Sequence, residues 1–151
     1  MTKLRIRDFE PQDFLDIEVS EYEMKARIGI PLAQQAWIKK HSGPCYTLVD
    51  PEDRIVACCG ISNFWPGVGE LWITLSPLVH KYPYTVIALR KLLEAGKQWY
   101  VRIQATSPVG YPDLVSFNKH FGAKFEGVLR KYGPHGESHL LYAWVKGKAN
   151  D

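Results

Sequence analysis

The stretch Gly69–Leu93, GELWITLSPLVHKYPYTVIALRKLL, decides the interpretation of the fold. Its first part, Glu70–Leu75, has the composition of a strand. The second part has Pro83 near its start and a broad apolar stripe after it, which predicts a helix from Pro83 to about Lys97. Because helix N-terminal amides bind anions, a strand–loop–helix unit of this kind is a candidate anion site.

Length and composition indicate a soluble globular chain. With 151 residues, one domain is expected over residues 1–147, followed by a solvated tail at 148–151. The net charge of +3 is small, and no basic run is interleaved with aromatics, which argues against a nucleic-acid partner. No apolar run approaches about 20 residues, so no membrane span is expected. The N-terminus does not have the pattern of a secretory signal, so the expected location is the cytoplasm.

Cysteines and histidines do not form a metal-binding pattern. Cys45, Cys58 and Cys59 lack ligand spacing, and small buried thiols in a reducing compartment are the simpler interpretation. His135 and His139 flank a predicted turn, but no cysteine or carboxylate cluster joins them. We therefore expect no metal site.

Hydrophobic periodicity predicts the order β-α-α-β-β-β-α-β-α-β-β. A first strand near Leu4–Asp8 precedes a helix from Pro11 to about Ile28, and Pro31 opens a second helix in which Leu32, Ala36 and Trp37 are candidates to face inward. The later elements are a three-strand meander over 45–75, the helix after Pro83, a strand at 101–105, a short helix at 114–121, and a hairpin of 124–132 with 138–145.

This order, with the residues on it, resembles the GNAT N-acetyltransferase superfamily over almost the whole chain. The best local match is Ser116–Arg130, SFNKHFGAKFEGVLR, which resembles the family's late helix and the strand that follows it. Asp50–Leu75 resembles the central meander. The resemblance implies an α+β fold with a mixed, mostly antiparallel sheet of six to seven strands flanked by about four helices.

Three short stretches resemble GNAT-like proteins of tailed phages and prophages. They are NFWPGVGE at 63–70, HKYP at 80–83 and KYGPHG at 131–136. If the chain is phage-encoded, this narrower resemblance implies a place in the host cytoplasm or in the virion.

The resemblance also implies an acetyl-CoA site, and the sequence departs from the family's pattern there. The phosphate-binding motif falls on His80–Thr85, with His80 at the basic position, and Pro83 and Thr85 where the family has glycines. Pro83 removes an amide donor. Losing one charge-assisted hydrogen bond costs about 1.5–3 kcal/mol, which predicts weaker cofactor binding. The cofactor contacts that the resemblance implies are Leu75, His80, Lys81, Thr85, Val86 and Asn118.

The implied catalytic residues are Glu70, Asn118 and Tyr132. Glu70 begins the fourth strand and is the candidate general base, although a solvated strand-end carboxylate is an equally good interpretation. Asn118 stands where many family members have a tyrosine acid, and its amide has no usable proton at neutral pH. Asn118 could instead hydrogen-bond the pantetheine or the thioester oxygen. Tyr132 and His120 are substitutes for the acid at positions that do not match the motif.

Two functions follow from the resemblance. The first is transfer of an acetyl group from acetyl-CoA to an amine-bearing substrate. The second is a catalytically degenerate GNAT domain that binds a host or virion protein or has a structural role in the virion. The sequence leaves the acceptor open, and a homodimer remains an option.

Overall fold

The computed structural model describes residues 3–147, so the predicted tail at 148–151 lies outside the described residues. The described part contains seven strands and five α-helices, and short 3-10 helices lie at Pro77–Lys81 and Lys97–Trp99. None of its helices is long and apolar enough to cross a bilayer. The elements in chain order are β1 (Arg5–Asp8), α1 (Pro11–Asp16), α2 (Glu21–Ala26), α3 (Leu32–His41), β2 (Cys45–Val49), β3 (Ile55–Trp65), β4 (Val68–Leu75), α4 (Thr85–Gly96), β5 (Arg102–Pro108), α5 (Pro112–His120), β6 (Lys124–Leu129) and β7 (His139–Val145).

All seven strands join one sheet in the order β1-β2-β3-β4-β5-β7-β6. Strands β1 and β2, β2 and β3, β5 and β7, and β6 and β7 pair antiparallel, whereas β4 and β5 pair parallel. The predicted α+β class and the predicted mostly antiparallel sheet are confirmed. The parallel ladder joins Val68–Glu70 to Arg102–Gln104 and ends there, although both strands continue.

The chain divides into two compact units. Unit 1 contains the residues up to Ser62 together with Trp72–Leu93, and unit 2 contains Asn63–Leu71 together with the residues from Glu94 onward. The expectation of one domain over residues 1–147 stays a prediction.

An aromatic core organises unit 1. Phe9 and Phe14 are fully or almost fully buried, and the edge of Phe9 meets the ring of Trp72 with 5.4 Å between centroids. Asp13 is buried beside this core and accepts two hydrogen bonds from Arg7, at 2.7 and 2.8 Å. Burial is the largest single influence and opposes ionisation of Asp13, but the hydrogen bonds from Arg7, the Glu10 amide and the Thr47 hydroxyl, with the charge of Arg7, together outweigh it and lower the pKa of this carboxyl.

The helix predicted from Pro11 to about Ile28 is two helices in the structure, which makes five α-helices instead of about four. The chain turns to an extended conformation at Ile17, whose side chain is buried, and α1 ends at Asp16. The Ser20 hydroxyl then accepts the Glu23 amide at 3.2 Å and caps a new helix. Packing of Ile17 in the core therefore ends α1 within a stretch whose hydrophobic pattern predicts one continuous helix.

Two apolar faces also differ from the prediction. Trp37 is 58% exposed and stacks on His41 instead of facing inward, while Ala36 is buried as predicted. In α4 the buried positions are Thr85, Leu89 and Leu93, at a spacing of four, and Val86 and Ile87 point to solvent. A helix buries only one stripe, so the broader stripe predicted from the sequence includes exposed residues.

Unit 2 is built around β5 and its antiparallel partner β7. Buried Ile103 of β5 lies opposite Trp144 of β7, and the Trp144 indole donates to the Phe121 carbonyl at 2.8 Å. This bond ties β7 to the C-terminal end of α5. Alternate residues of β5 therefore face the helix side of unit 2, and the residues between them face the other side.

Replacing Gly60 with alanine is expected to destabilise unit 1. A Cβ at this position of β3 would lie 2.7 Å from the Pro44 carbonyl oxygen and 2.8 Å from both Cys45 Cβ and Trp72 Nε1. Overpacking of this kind costs about 1–3 kcal/mol. Urea denaturation of G60A should show that loss, and an unchanged midpoint would show that the strand moves away without cost.

Candidate functional site

The predicted residues Glu70 and Tyr132 interact in unit 2. Glu70 lies on β4 directly beside Gln104 of β5, and one of its carboxylate oxygens, Oε1, is buried. Partial burial raises the pKa of the Tyr132 phenol, and the negative charge of Glu70 raises it further. The phenol therefore stays protonated over a wider pH range than a solvated tyrosine.

A histidine that the sequence did not single out joins this cluster. The His139 ring meets the Tyr132 ring edge to face, with 5.0 Å between centroids. Its Nδ1 lies 3.2 Å from the hydroxyl of Thr106, and its Nε2 lies 3.5 Å from a carboxylate oxygen of Glu137. The imidazole is thus held between a hydroxyl on β5 and a carboxylate in the β6–β7 connection.

Glu137 is fixed by the turn that contains it. Its carboxylate accepts the His135 amide at 2.9 Å and occupies the space that a side chain at Gly133 would need. Backbone hydrogen bonds and the interaction with His139 outweigh desolvation and lower the pKa of Glu137. Glu137 is therefore a partly exposed turn residue whose carboxylate is held by hydrogen bonds within the turn.

Asn118 lies apart from this cluster. It is buried on α5, and its amide donates to the Ser107 hydroxyl at 2.8 Å. Ser107 and Thr106 are neighbours on β5, so their side chains point to opposite faces of the strand. The charge of Glu70 therefore acts on Tyr132, whereas Asn118 is hydrogen-bonded to Ser107, on the opposite face of β5 from Thr106.

The predicted cofactor loop belongs to unit 1, and hydrogen bonds within the loop occupy several of its amides. The Ser76 hydroxyl and carbonyl accept the amides of Leu78 and Val79, at 3.1 and 3.0 Å. The Tyr82 carbonyl accepts both the amide and the hydroxyl of Thr85, at 2.9 and 2.7 Å. The Thr85 amide, predicted as a phosphate donor, is engaged in this conformation.

Tyr82 anchors the loop to the β2–β3 turn. Its hydroxyl donates to Asp50 at 2.9 Å, and this carboxylate also accepts the amides of Glu52 and Arg54 and the Arg54 side chain. Burial alone would raise the pKa of Asp50, but these hydrogen bonds hold it at about 2.

The other predicted cofactor residues remain around this loop. His80 and Lys81 are exposed in the last turn of the 3-10 helix, Val86 is exposed on α4, and Leu75 ends β4 half-buried. The amides of Val86 and Ile87 open α4, where the first amides of a helix have no acceptor within the helix. Positive charge and two helix-start amides are therefore what the loop presents for an anion.

Comparison with known proteins identifies the fold. No protein-family model and no curated protein matches the sequence. Among solved structures, the chain is similar to a GNAT-family acetyltransferase from Bacillus anthracis, with 19% identity, a TM-score of 0.72, and coverage of 96% of this chain and 98% of that one. The chain has the GNAT fold.

Two further structures have the same GNAT fold. One is a phosphinothricin acetyltransferase from Sinorhizobium meliloti, solved in complex with AcCoA, with 17% identity, a TM-score of 0.73, and coverage of 95% of this chain and 89% of that one. The other is a spermidine N-acetyltransferase from Vibrio cholerae in complex with CoA and spermine, with 13% identity, a TM-score of 0.74, and 98% coverage of both chains. The resemblance to this fold is confirmed, whereas the resemblance to phage proteins stays a prediction.

Replacing Tyr82 with phenylalanine is expected to lower the free energy of unfolding above about pH 4 and to have a smaller effect in acid. The pKa of Asp50 is depressed in the folded state, so its contribution to stability is complete above its unfolded value and disappears as the pH falls towards about 2. Without the Tyr82 hydroxyl the folded pKa rises towards the unfolded value, so the contribution of Asp50 above the unfolded value is smaller, and the stabilities of the variant and the original chain converge as the pH falls. Urea denaturation between about pH 2 and 6 measures the shift. Tyr46→Phe on β2 is the matched control. If the two variants show the same dependence of unfolding free energy on pH, the Tyr82 hydroxyl does not anchor the loop through Asp50.

Replacing Glu70 with glutamine is expected to lower the pKa of Tyr132 while leaving it above the value of a solvated tyrosine. The charge of Glu70 is removed, but the burial that is the larger cause remains. An NMR titration of the Tyr132 ring carbon, assigned with Tyr132→Phe, measures the shift. Glu126→Gln is the control, since Glu126 pairs with Arg102 at 2.6 Å. If Tyr132 has the same pKa in both variants, the charge of Glu70 does not act on Tyr132.

Proposed function

We propose that the chain is an N-acetyltransferase that transfers an acetyl group from acetyl-CoA to an amine, the function predicted first from the sequence. The single observation that carries the proposal is that Glu70, at the end of the β4–β5 ladder, is near enough to Tyr132 for its charge to raise the pKa of the phenol. The GNAT fold supports it as an analogy of fold, because one fold hosts many functions. An amine-bearing small molecule or a host protein is the proposed acceptor.

The two side chains supply the two proton transfers that the reaction needs. Acetyl-CoA, when bound, supplies the acetyl group as a thioester. Glu70 accepts a proton from the acceptor amine, so that nitrogen bonds to the acyl carbon as the carbon–sulfur bond breaks. Tyr132 donates its phenolic proton to the departing sulfur, and the proton held by Glu70 restores the phenol through solvent. The products are an amide and a thiol, and both residues return to their starting states.

His139 has a supporting role in this scheme. Its ring lies against Tyr132, its Nδ1 is within hydrogen-bond distance of the Thr106 hydroxyl, and its Nε2 lies 3.5 Å from Glu137. A ring fixed in this way restricts the orientations of the tyrosine, which favours a productive position of the phenol. We assign to His139 the role of a positioning residue.

The loop fits the phosphates of acetyl-CoA only in part. Lys81 supplies positive charge, His80 supplies a ring nitrogen that can donate a hydrogen bond, and the Val86 and Ile87 amides supply donors at the helix start. The Thr85 amide is taken by Tyr82, and Pro83 has no amide proton. We therefore infer binding that is weaker, by about one to two orders of magnitude, than a complete glycine-lined cradle would give.

A catalytically degenerate GNAT-fold protein, with a binding or virion-associated structural role, is the second candidate. The hydrogen bonds within Ser76–Thr85 favour it, because they occupy amides that an open phosphate cradle would leave for the ligand. The electrostatic effect of Glu70 on Tyr132 favours the enzyme.

Titration with acetyl-CoA followed by an acetyl-transfer assay distinguishes the acetyltransferase from the catalytically degenerate protein. If the chain is an acetyltransferase, calorimetry should show acetyl-CoA binding with a Kd below about 1 mM, and at least one amine of a panel should cause release of the CoA thiol. Removal of a general base costs about 10²–10⁴ in turnover, so Glu70→Gln should lose that much while acetyl-CoA binding persists. Tyr132→Phe should also lower turnover.

Glu126→Gln is the control, because it makes the same change of charge on another strand of unit 2. Equal turnover in Glu70→Gln and in the original chain would remove Glu70 as the base. If acetyl-CoA does not bind at millimolar concentration, the proposal of an acetyltransferase is overturned and the proposal of a catalytically degenerate GNAT-fold protein remains.

A further inference from the structure

A second concave site lies in unit 2, where β5 begins and β7 ends. The cavity has a volume of about 610 Å³, within the range of small-molecule sites. Its wall combines the aromatic residues Tyr100 and Trp144 with the ends of these strands and the backbone at Gly122 and Gly147. None of the lining residues was predicted to have a function.

Positive charge dominates the lining of this cavity. Four cationic side chains and one carboxylate contribute to it, namely Lys97, Arg102, Lys124, Lys146 and Glu126. They come from four separate parts of unit 2: the 3-10 turn before β5, β5 itself, β6, and the residues that follow β7. The sequence therefore shows no basic run, and the fold creates the cluster.

The partners of these cations leave much of the charge available. Arg102 pairs with Glu126 at 2.6 Å, and Lys97 pairs with Glu94 at 2.8 Å. The Lys146 ammonium donates only to a neutral group among its described contacts, the Gln98 carbonyl at 3.3 Å. Among the described side chains, no carboxylate lies within ion-pair distance of Lys124, which is exposed.

Aromatic packing gives the cavity a firm base. Trp144 is almost completely buried and donates its indole proton to the Phe121 carbonyl, and Tyr100 donates to Asn63 at 2.5 Å. The Lys97 ammonium lies 5.9 Å from the centre of the Trp144 ring. Charges placed around a fixed apolar base attract an anion with less loss of side-chain freedom than charges on a mobile surface.

We propose that this cavity binds a small polyanion, a molecule that carries two or more adjacent phosphate or carboxylate groups. Lys124 and Lys146 contact the anionic groups, and Arg102 stays with Glu126 as part of the wall. The site does not depend on the proposed acetyl transfer, because neither Glu70 nor Tyr132 lines the cavity. Binding is predicted to weaken as salt increases, since exposed charges are screened within about 8–10 Å at physiological ionic strength.

Calorimetric titration with tripolyphosphate and with citrate, at low ionic strength, tests the proposal and distinguishes phosphate from carboxylate ligands. The original chain should bind at least one of them with a Kd below about 1 mM. The double variant Lys124→Gln with Lys146→Gln should bind at least about tenfold more weakly. Its thermal midpoint, measured in parallel, separates lost binding from lost folding.

Lys91→Gln with Lys119→Gln is the matched control, because it removes the same charge from two exposed lysines outside the cavity. This control should change the Kd less than about twofold. Equal weakening in both double variants, or no binding of either probe to the original chain, would overturn the proposal.

Acetyl-CoA also carries phosphates, so its titration completes the test. The Lys124/Lys146 variant should bind acetyl-CoA as the original chain does, which would keep the cavity separate from the cofactor loop. Loss of acetyl-CoA binding in that variant would assign the cavity to the cofactor and would overturn a separate polyanion site. Failure of acetyl transfer alone would affect only the proposed function.

Discussion

The buried carboxylate of Asp50 is the constraint on which unit 1 depends. It accepts hydrogen bonds from the amides of Glu52 and Arg54, from the Arg54 side chain and from the Tyr82 hydroxyl, so one side chain fixes both the β2–β3 turn and the loop before α4. A buried charge is tolerated only when it is well hydrogen-bonded, and Asp50 meets this condition. The conformation of the candidate cofactor loop therefore follows from a residue about thirty positions earlier in the chain.

The same anchor explains how the fold tolerates an altered loop. Tyr82 points into unit 1, and its carbonyl turns to accept the Thr85 amide and hydroxyl, so Pro83 is accommodated without a lost bond in the loop. A glycine-lined loop presents its amides to a ligand, whereas this loop uses several of them itself. A loop amide that is hydrogen-bonded within the loop cannot also bind a phosphate. In this loop several amides make such internal hydrogen bonds, which stabilise the loop.

The sequence predicted those features that depend on local pattern. Alternation and turn residues located the meander at 45–75 and the final hairpin, and the order of elements identified the fold. The prediction of a single helix from Pro11 to about Ile28 was wrong, because burial of Ile17 ends the first helix. The prediction that Trp37 faces inward was also wrong, because hydrophobic periodicity does not say which edge of an apolar stripe is covered by other elements. His139 could not be selected from the sequence, since its partners Thr106 and Glu137 come together only through strand pairing.

The effect of Glu70 on Tyr132 bears on where the acid of the proposed reaction could stand. A phenol donates a proton to a departing thiolate only if it is protonated when the bond breaks, and burial and the charge of Glu70 extend to higher pH the range in which Tyr132 keeps its proton. A nearby carboxylate that can accept a proton and a phenol that retains one are the complementary pair that acyl transfer to an amine requires. In the proposed reaction Tyr132 takes the role of the acid, and Asn118 instead connects α5 to β5 through its hydrogen bond to Ser107.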